Sequence, residues 1–137
     1  MKIDLKLIKD ILDFINNDES YQIMGSSLSR QFNVYSENNE VSENTESSNE
    51  QEVQKDYQNK RNNFINHIQL LYDNKCLGIP YYPVNIEDMA DAYIRIMPNG
   101  YELLYIINNY NNEIEEEIIK NIPISIIIKK YVNESLK

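Results

Sequence analysis

The sequence predicts an α+β domain, mostly helical, with a two-stranded ribbon near its middle. Three observations predict it. Apolar residues recur at helical spacing over residues 2–17 and again over 57–75. A stretch rich in β-formers and proline, 79–97, follows the second period. Beyond it the apolar spacing turns helical again and stays so to the end of the chain. A length of 137 residues suits a single domain.

The first helix spans 2–17. Leu5, Ile8, Ile11, Leu12 and Ile15 share one face, and Lys6, Lys9, Asp10 and Asp13 lie largely opposite. Segment 20–35 lacks a long period around Gly25; it reads as loop, with a short strand at 21–24 and a short helix at 26–32. Residues 36–56 form a separate block with seven acidic residues, one Lys, and only Val41 and Val53 as apolar residues. So little apolar surface cannot offset an ordering entropy of about 1–2 kcal/mol per residue. The block is therefore expected to be a flexible, disordered acidic insertion that becomes helical near residue 50.

The second helix, 57–75, buries Phe64, Ile68, Leu71 and Tyr72, with Ile65 and Leu70 beside them. Cys76-Leu77-Gly78 is read as its stop, since glycine relieves the backbone at a helix end. Extended segments follow near 79–86 and 92–97, joined around Ile86 to Ala90. Asn99-Gly100 reads as a turn into a helix over 99–109, which Asn108 to Asn112 interrupt. A glutamate-rich helix and a last helix over 123–136 make a C-terminal extension at 113–137. Pro123 is read as the first residue of that last helix, with Ile124, Ile127, Ile128 and Tyr131 as its buried stripe. A helix followed closely by a two-stranded ribbon is the winged-helix arrangement, a relative of helix-turn-helix modules. The expectation is one winged-helix-like domain with an acidic insertion and added C-terminal helices.

Composition narrows the function classes. One cysteine, Cys76, excludes a disulfide framework and every multi-cysteine metal site. The longest strongly apolar stretch, Ile122 to Ile128, is too short to span a bilayer. The N-terminal residues lack the uninterrupted apolar core of a signal peptide. A cytoplasmic protein with no membrane partner is expected. The abundance of Ile, Asn and Tyr reflects AT-rich codons rather than a prion-like tract.

The formal charge of −9 looks at first like an argument against nucleic acid, because phosphate contacts need Lys and Arg. Its distribution removes that argument. Residues 36–56 carry −6, the glutamates of 113–117 carry −4, and the remaining 111 residues sum to +1.

Several segments together resemble a known family. The opening carries Met1-Lys2-Ile3-Asp4, then Leu7-Ile8 and Ile11-Leu12. Further on come Asn66-His67-Ile68-Gln69-Leu70-Leu71, the run Arg95 to Leu104, and Pro123-Ile124-Ser125-Ile126-Ile127. This pattern resembles domain of unknown function twenty-five thirteen, a family common on prophages and mobile elements. It covers about two-thirds of the chain and leaves out the acidic block. Asn66 stands where the family has an aromatic residue, Tyr101 where it has a histidine, and the chain has no Trp. The resemblance implies a winged-helix-like fold and a mobile-element setting. It carries over no catalytic residue, since the family has no established activity.

No residue pattern points to catalysis. His67 is the sole histidine, and nucleophilic chemistry needs a base and an orienting carboxylate that converge in space. It reads as a structural or surface residue of its helix. Cys76, beside Leu77 at a helix end, reads as a buried inert thiol. Glu113, Glu115, Glu116 and Glu117 read as a solvated helix start favoured by the helix dipole. Glu87, Asp88 and Asp91 lack EF-hand spacing. No metal, cofactor, small-molecule substrate or enzymatic activity is expected.

Two binding readings remain. In the first the chain is a small interaction protein of a phage or mobile element that binds a host or element protein, for instance as an inhibitor of a nucleic-acid-guided defence system. Its tyrosines suit a protein interface, with Tyr81, Tyr82, Tyr93, Tyr101, Glu113 and Glu116 as candidate contacts. In the second it is a winged-helix regulator that reads double-stranded DNA with helix 57–75. Asn63, Asn66 and His67 would face bases, while Lys60, Arg61 and Arg95 would hold phosphates.

Overall fold

Residues 2–35 and 48–135 are described in a computed structural model of the chain. The acidic stretch 36–47, which holds most of the expected insertion, lies outside them, as do residues 136–137.

Helix α1 spans Leu5–Asn16 and buries Leu5, Ile8, Ile11, Leu12 and Ile15, the stripe expected from their spacing. Asp4 caps it, its Oδ1 accepting the Leu7 amide at 3.1 Å. Strand β1 (Gln22–Met24) and helix α2 (Gly25–Gln31) follow. Helix α3 is much longer than its apolar period, running Ser48–Asp73. Residues 48–56, the end of the expected insertion, are helical, in keeping with the helix expected to set in near residue 50. No residue from Val53 to Asn63 is buried, so this half carries no apolar period to read. It forms because adding a residue to an existing helix avoids the cost of nucleation.

Helix α3 ends in a Schellman motif. The Cys76 amide donates to the Leu71 carbonyl and the Lys75 amide to that of Tyr72, with Lys75 left-handed at φ 59. Lys75, rather than Gly78, is therefore the stop. Gly78 instead belongs to strand β2 (Leu77–Gly78). The same pair of bonds closes α2 at Asn33.

A one-turn helix, α4 (Ile86–Met89), occupies the connection and is capped by Asn85, whose Oδ1 accepts the Asp88 amide. Strand β3 (Tyr93–Ile96) is central. It pairs antiparallel with β1 on one side and β2 on the other, giving the order β1-β3-β2. The expected two-stranded ribbon is thus a three-stranded sheet. Its inner face carries Ile23, Leu77, Ile94 and Ile96 into the core.

Helix α5 (Pro98–Ile119) takes Pro98 as its first residue, so Asn99-Gly100 is its first turn and not a preceding one. Gly100 must be glycine, since a Cβ there would lie 2.3 Å from the Cys76 carbonyl oxygen. Tyr110 leaves helical geometry (φ −135, ψ 34) and kinks α5 where the asparagines were expected to interrupt it. A third Schellman motif, with Asn121 left-handed, ends it.

Helix α6 (Ile124–Ser135) begins one residue after Pro123, whose carbonyl accepts the Ile127 amide. It packs on α5 and adds Ile124, Ile127, Ile128 and Tyr131 to the same core as α1 and the sheet. Among the described residues no helix is long and apolar enough to cross a membrane.

Candidate functional site

Alternation along β3 decides which of its residues reach solvent. Ile94 and Ile96 point inward, so Tyr93 and Arg95 share the outer face of the sheet. The register sets Gln22 and Gly78 on either side of Arg95. Gly78 has no side chain, and the Arg95 stem lies against it: a Cβ there would come within 2.9 Å of Arg95 Nε. Beyond Gly78 lie the last turn of α3 and its Schellman residue. Gln22, Tyr72, Lys75, Gly78, Tyr93 and Arg95 together line a groove of about 700 Å³. Tyr72 meets Tyr82 edge-on at its rim, ring centroids 5.6 Å apart. Neither Lys75 nor Arg95 has an ion-pair partner among the described residues. Asp73 is the one acidic residue lining the groove.

The residues expected to read DNA do not form one face. His67 is fully buried: its Nε2 accepts the Asp4 amide at 2.9 Å, and its Nδ1 donates to the Asn63 carbonyl at 2.7 Å. Both ring nitrogens are spent inside the fold, so His67 cannot contact a base. Arg61 pairs with Glu87 of α4 and lies over the Tyr57 ring, 5.7 Å from its centroid. Asn63 lines a second groove, between the start of α1 and the end of α5, where Lys2 and Lys6 are balanced by Asp4 and Glu115.

Lys60 and Asn66 are exposed on α3. Arg95 shares its groove with Tyr72, about 18 Å of helix beyond Lys60. From Asn62 to Asp73 the exposed residues of α3 are Asn62, Asn63, Asn66 and Asp73, with no cation among them.

The expected interface residues are all exposed, on different parts of the surface. Tyr93 belongs to the sheet groove and Tyr82 to its rim. Tyr81 donates its hydroxyl to the Asp88 carbonyl at 2.6 Å. Tyr101 is exposed on the first half of α5, together with Tyr105 one turn on. Glu113 and Glu116 are exposed on the half of α5 beyond its kink.

Glu117 departs from the solvated glutamate face expected for it. It is buried between α5 and α6, accepting from Lys130 Nζ and, at 3.3 Å, from the Tyr131 hydroxyl. Burial and the Glu117 charge hold the Tyr131 hydroxyl above its ordinary range. Cys76 is wholly buried, and its thiol is pushed up to about 12 by that burial.

The reading from sequence missed Lys75 and Gly78 as parts of the sheet groove. Alternation alone could have joined Tyr93 to Arg95; the other two enter only through the β2–β3 register. Among the described residues no group of three or more His, Cys, Asp or Glu could hold a metal ion. No family model, curated protein or solved structure matches the chain.

Proposed function

We propose that this chain is a non-enzymatic, winged-helix-like interaction protein of a phage or mobile element, and that it acts by binding a host or element protein. The observation that carries the choice of partner is the α3 surface. In a winged helix this element would enter the major groove, and a DNA reader needs cations there to hold phosphates. Here the exposed face from Asn62 to Asp73 is amide-rich and holds no cation, Arg61 is tied to Glu87, and His67 is internal. An amide-rich face without a cation suits a protein surface better.

Support for the winged-helix part is the order helix, strand, two helices and two strands, with the one-turn α4 between the two strands and α3 directly before them. The mobile-element setting rests on the family resemblance, and an inhibitor of a nucleic-acid-guided defence system is one form such a protein would take. That same element order favours the second reading, DNA binding through Lys60, Asn63, Asn66 and Arg95.

Gel-shift titration against mixed-sequence and AT-rich duplexes at about 50 mM salt separates the two, since phosphate-driven binding is strong there. The protein reading expects no retarded species, together with a complex that survives gel filtration after mixing with lysate of a bacterial host. Retardation that weakens steeply with salt would overturn it.

A further inference from the structure

We propose that the groove on the outer face of the sheet is a docking site for an acidic peptide segment of the partner protein, with a carboxylate seated on Arg95. The proposal rests on the protein-partner reading and gives that partner a chemistry. Three observations lead to it.

The first is charge. In a chain of net charge −9, this groove gathers two cations, Lys75 and Arg95, that no described residue neutralises, against a single carboxylate, Asp73. A guanidinium offers a planar fork that matches one carboxylate with two parallel hydrogen bonds. Two cations suit one or two acidic side chains. They are too few to follow a nucleic-acid backbone.

The second is shape. Gly78, opposite Arg95 across the β2–β3 ladder, leaves the space into which the arginine stem settles. Tyr93 and Tyr72 line the same groove as the arginine. Tyrosine and arginine around one groove are the residue types that dominate binding energy at protein interfaces.

The third is Lys75 itself. All three Schellman motifs need a left-handed residue, and the other two use asparagine, Asn33 and Asn121. At α3 the position is a lysine, a residue with no local hydrogen bond to favour that conformation. The strained choice is the one that faces the groove, and it supplies the second cation.

The experiment uses the full chain. A random dodecapeptide library is selected against it, and the best peptide is compared with its Asp→Asn, Glu→Gln counterpart and with a dT12 oligonucleotide by fluorescence anisotropy. The expected result is enrichment of Asp and Glu and at least tenfold weaker binding of the amide counterpart. Arg95→Ala should weaken the acidic peptide at least tenfold, and Arg95→Lys should restore only part, because an ammonium cannot make the bidentate contact. Gly78→Val, which must push the arginine stem aside, should match the alanine variant, with unchanged circular dichroism for all three.

Selected peptides that are not acidic, or that ignore Arg95→Ala, overturn the groove while leaving a protein partner in place. Binding of dT12 with no peptide selected overturns both the groove and the protein reading.

Discussion

The Nε2 of His67 accepts the backbone N–H of Asp4 at 2.9 Å, joining the cap of α1 to the middle of α3 across 63 positions of sequence. The same ring donates from Nδ1 to the Asn63 carbonyl one turn earlier in its own helix. One imidazole thus satisfies an amide that precedes α1 and ties that cap to α3. Replacing His67 by Leu would leave the Asp4 amide without its acceptor in a partly buried site. The expected loss is about 2–3 kcal/mol, from the stranded donor and the altered packing. Urea unfolding with an unchanged m-value checks it; a loss under about 0.5 kcal/mol would show that the bridge contributes little.

Lys75 offers the opposite sign. A left-handed conformation costs an ordinary L-residue roughly 1–2 kcal/mol, and asparagine tolerates it better. Lys75→Asn should therefore stabilise the fold by about 0.5–1 kcal/mol, read as a rise of a few degrees in melting temperature. Lys75→Gly should gain less, because glycine also frees the unfolded chain. A lower melting temperature for the asparagine variant would mean that the lysine stem contributes packing that outweighs the strain.

How far the sequence announced this fold depended on whether a signal was local. The α1 stripe from Leu5 to Ile15 and the alternation of Tyr93 to Ile96 lie within single elements, so period alone reveals them. The first turns of α3, Ser48 to Asp56, carry no apolar period, so composition places them in an acidic block that turns helical only towards its end, near residue 50. Gly78 invited the usual rule for helix ends, and only the backbone angles transfer that role to Lys75. The groove was half legible, since Tyr93 and Arg95 share a face by alternation. Gly78 joins them only through antiparallel pairing, and Lys75 only through the end of α3. Glu117 looked like its glutamate neighbours because its partners, Lys130 and Tyr131, lie on another helix.

That buried carboxylate should matter more than the surface ion pairs of α1. Lys6–Asp10 and Lys9–Asp13 are solvent-exposed i,i+4 pairs, a class worth about 0.3–0.5 kcal/mol. Glu117→Ala removes the acceptor of the Tyr131 hydroxyl and the partner of Lys130 at the α5–α6 contact. A loss of about 1–3 kcal/mol is expected, against under about 0.5 kcal/mol for Asp10→Ala. Glu117→Gln keeps an acceptor for the hydroxyl and should fall between them. Thermal melts of the three variants check the ranking; equal effects for Glu117→Ala and Asp10→Ala would refute it.

Cys76 gives the pH dependence its direction. Its thiol sits at about 12 in the folded chain, against an ordinary value of 9.0, because burial disfavours the thiolate. Between those values the unfolded chain has released a proton that the folded chain still holds. Stability should therefore be unaffected by this group below pH 9 and fall above it, by up to about 1.4 kcal/mol per pH unit. Tyr131, raised by burial and by Glu117, adds a loss of the same sign at still higher pH. Comparing the alkaline stability slope of the native chain with that of Cys76→Ala isolates the thiol, and the variant should show the shallower slope. At pH 8 the native thiolate fraction is on the order of 10⁻⁴, so a thiol reagent should label Cys76 only as fast as the chain unfolds. Rapid labelling under native conditions would contradict the burial that raises the thiol.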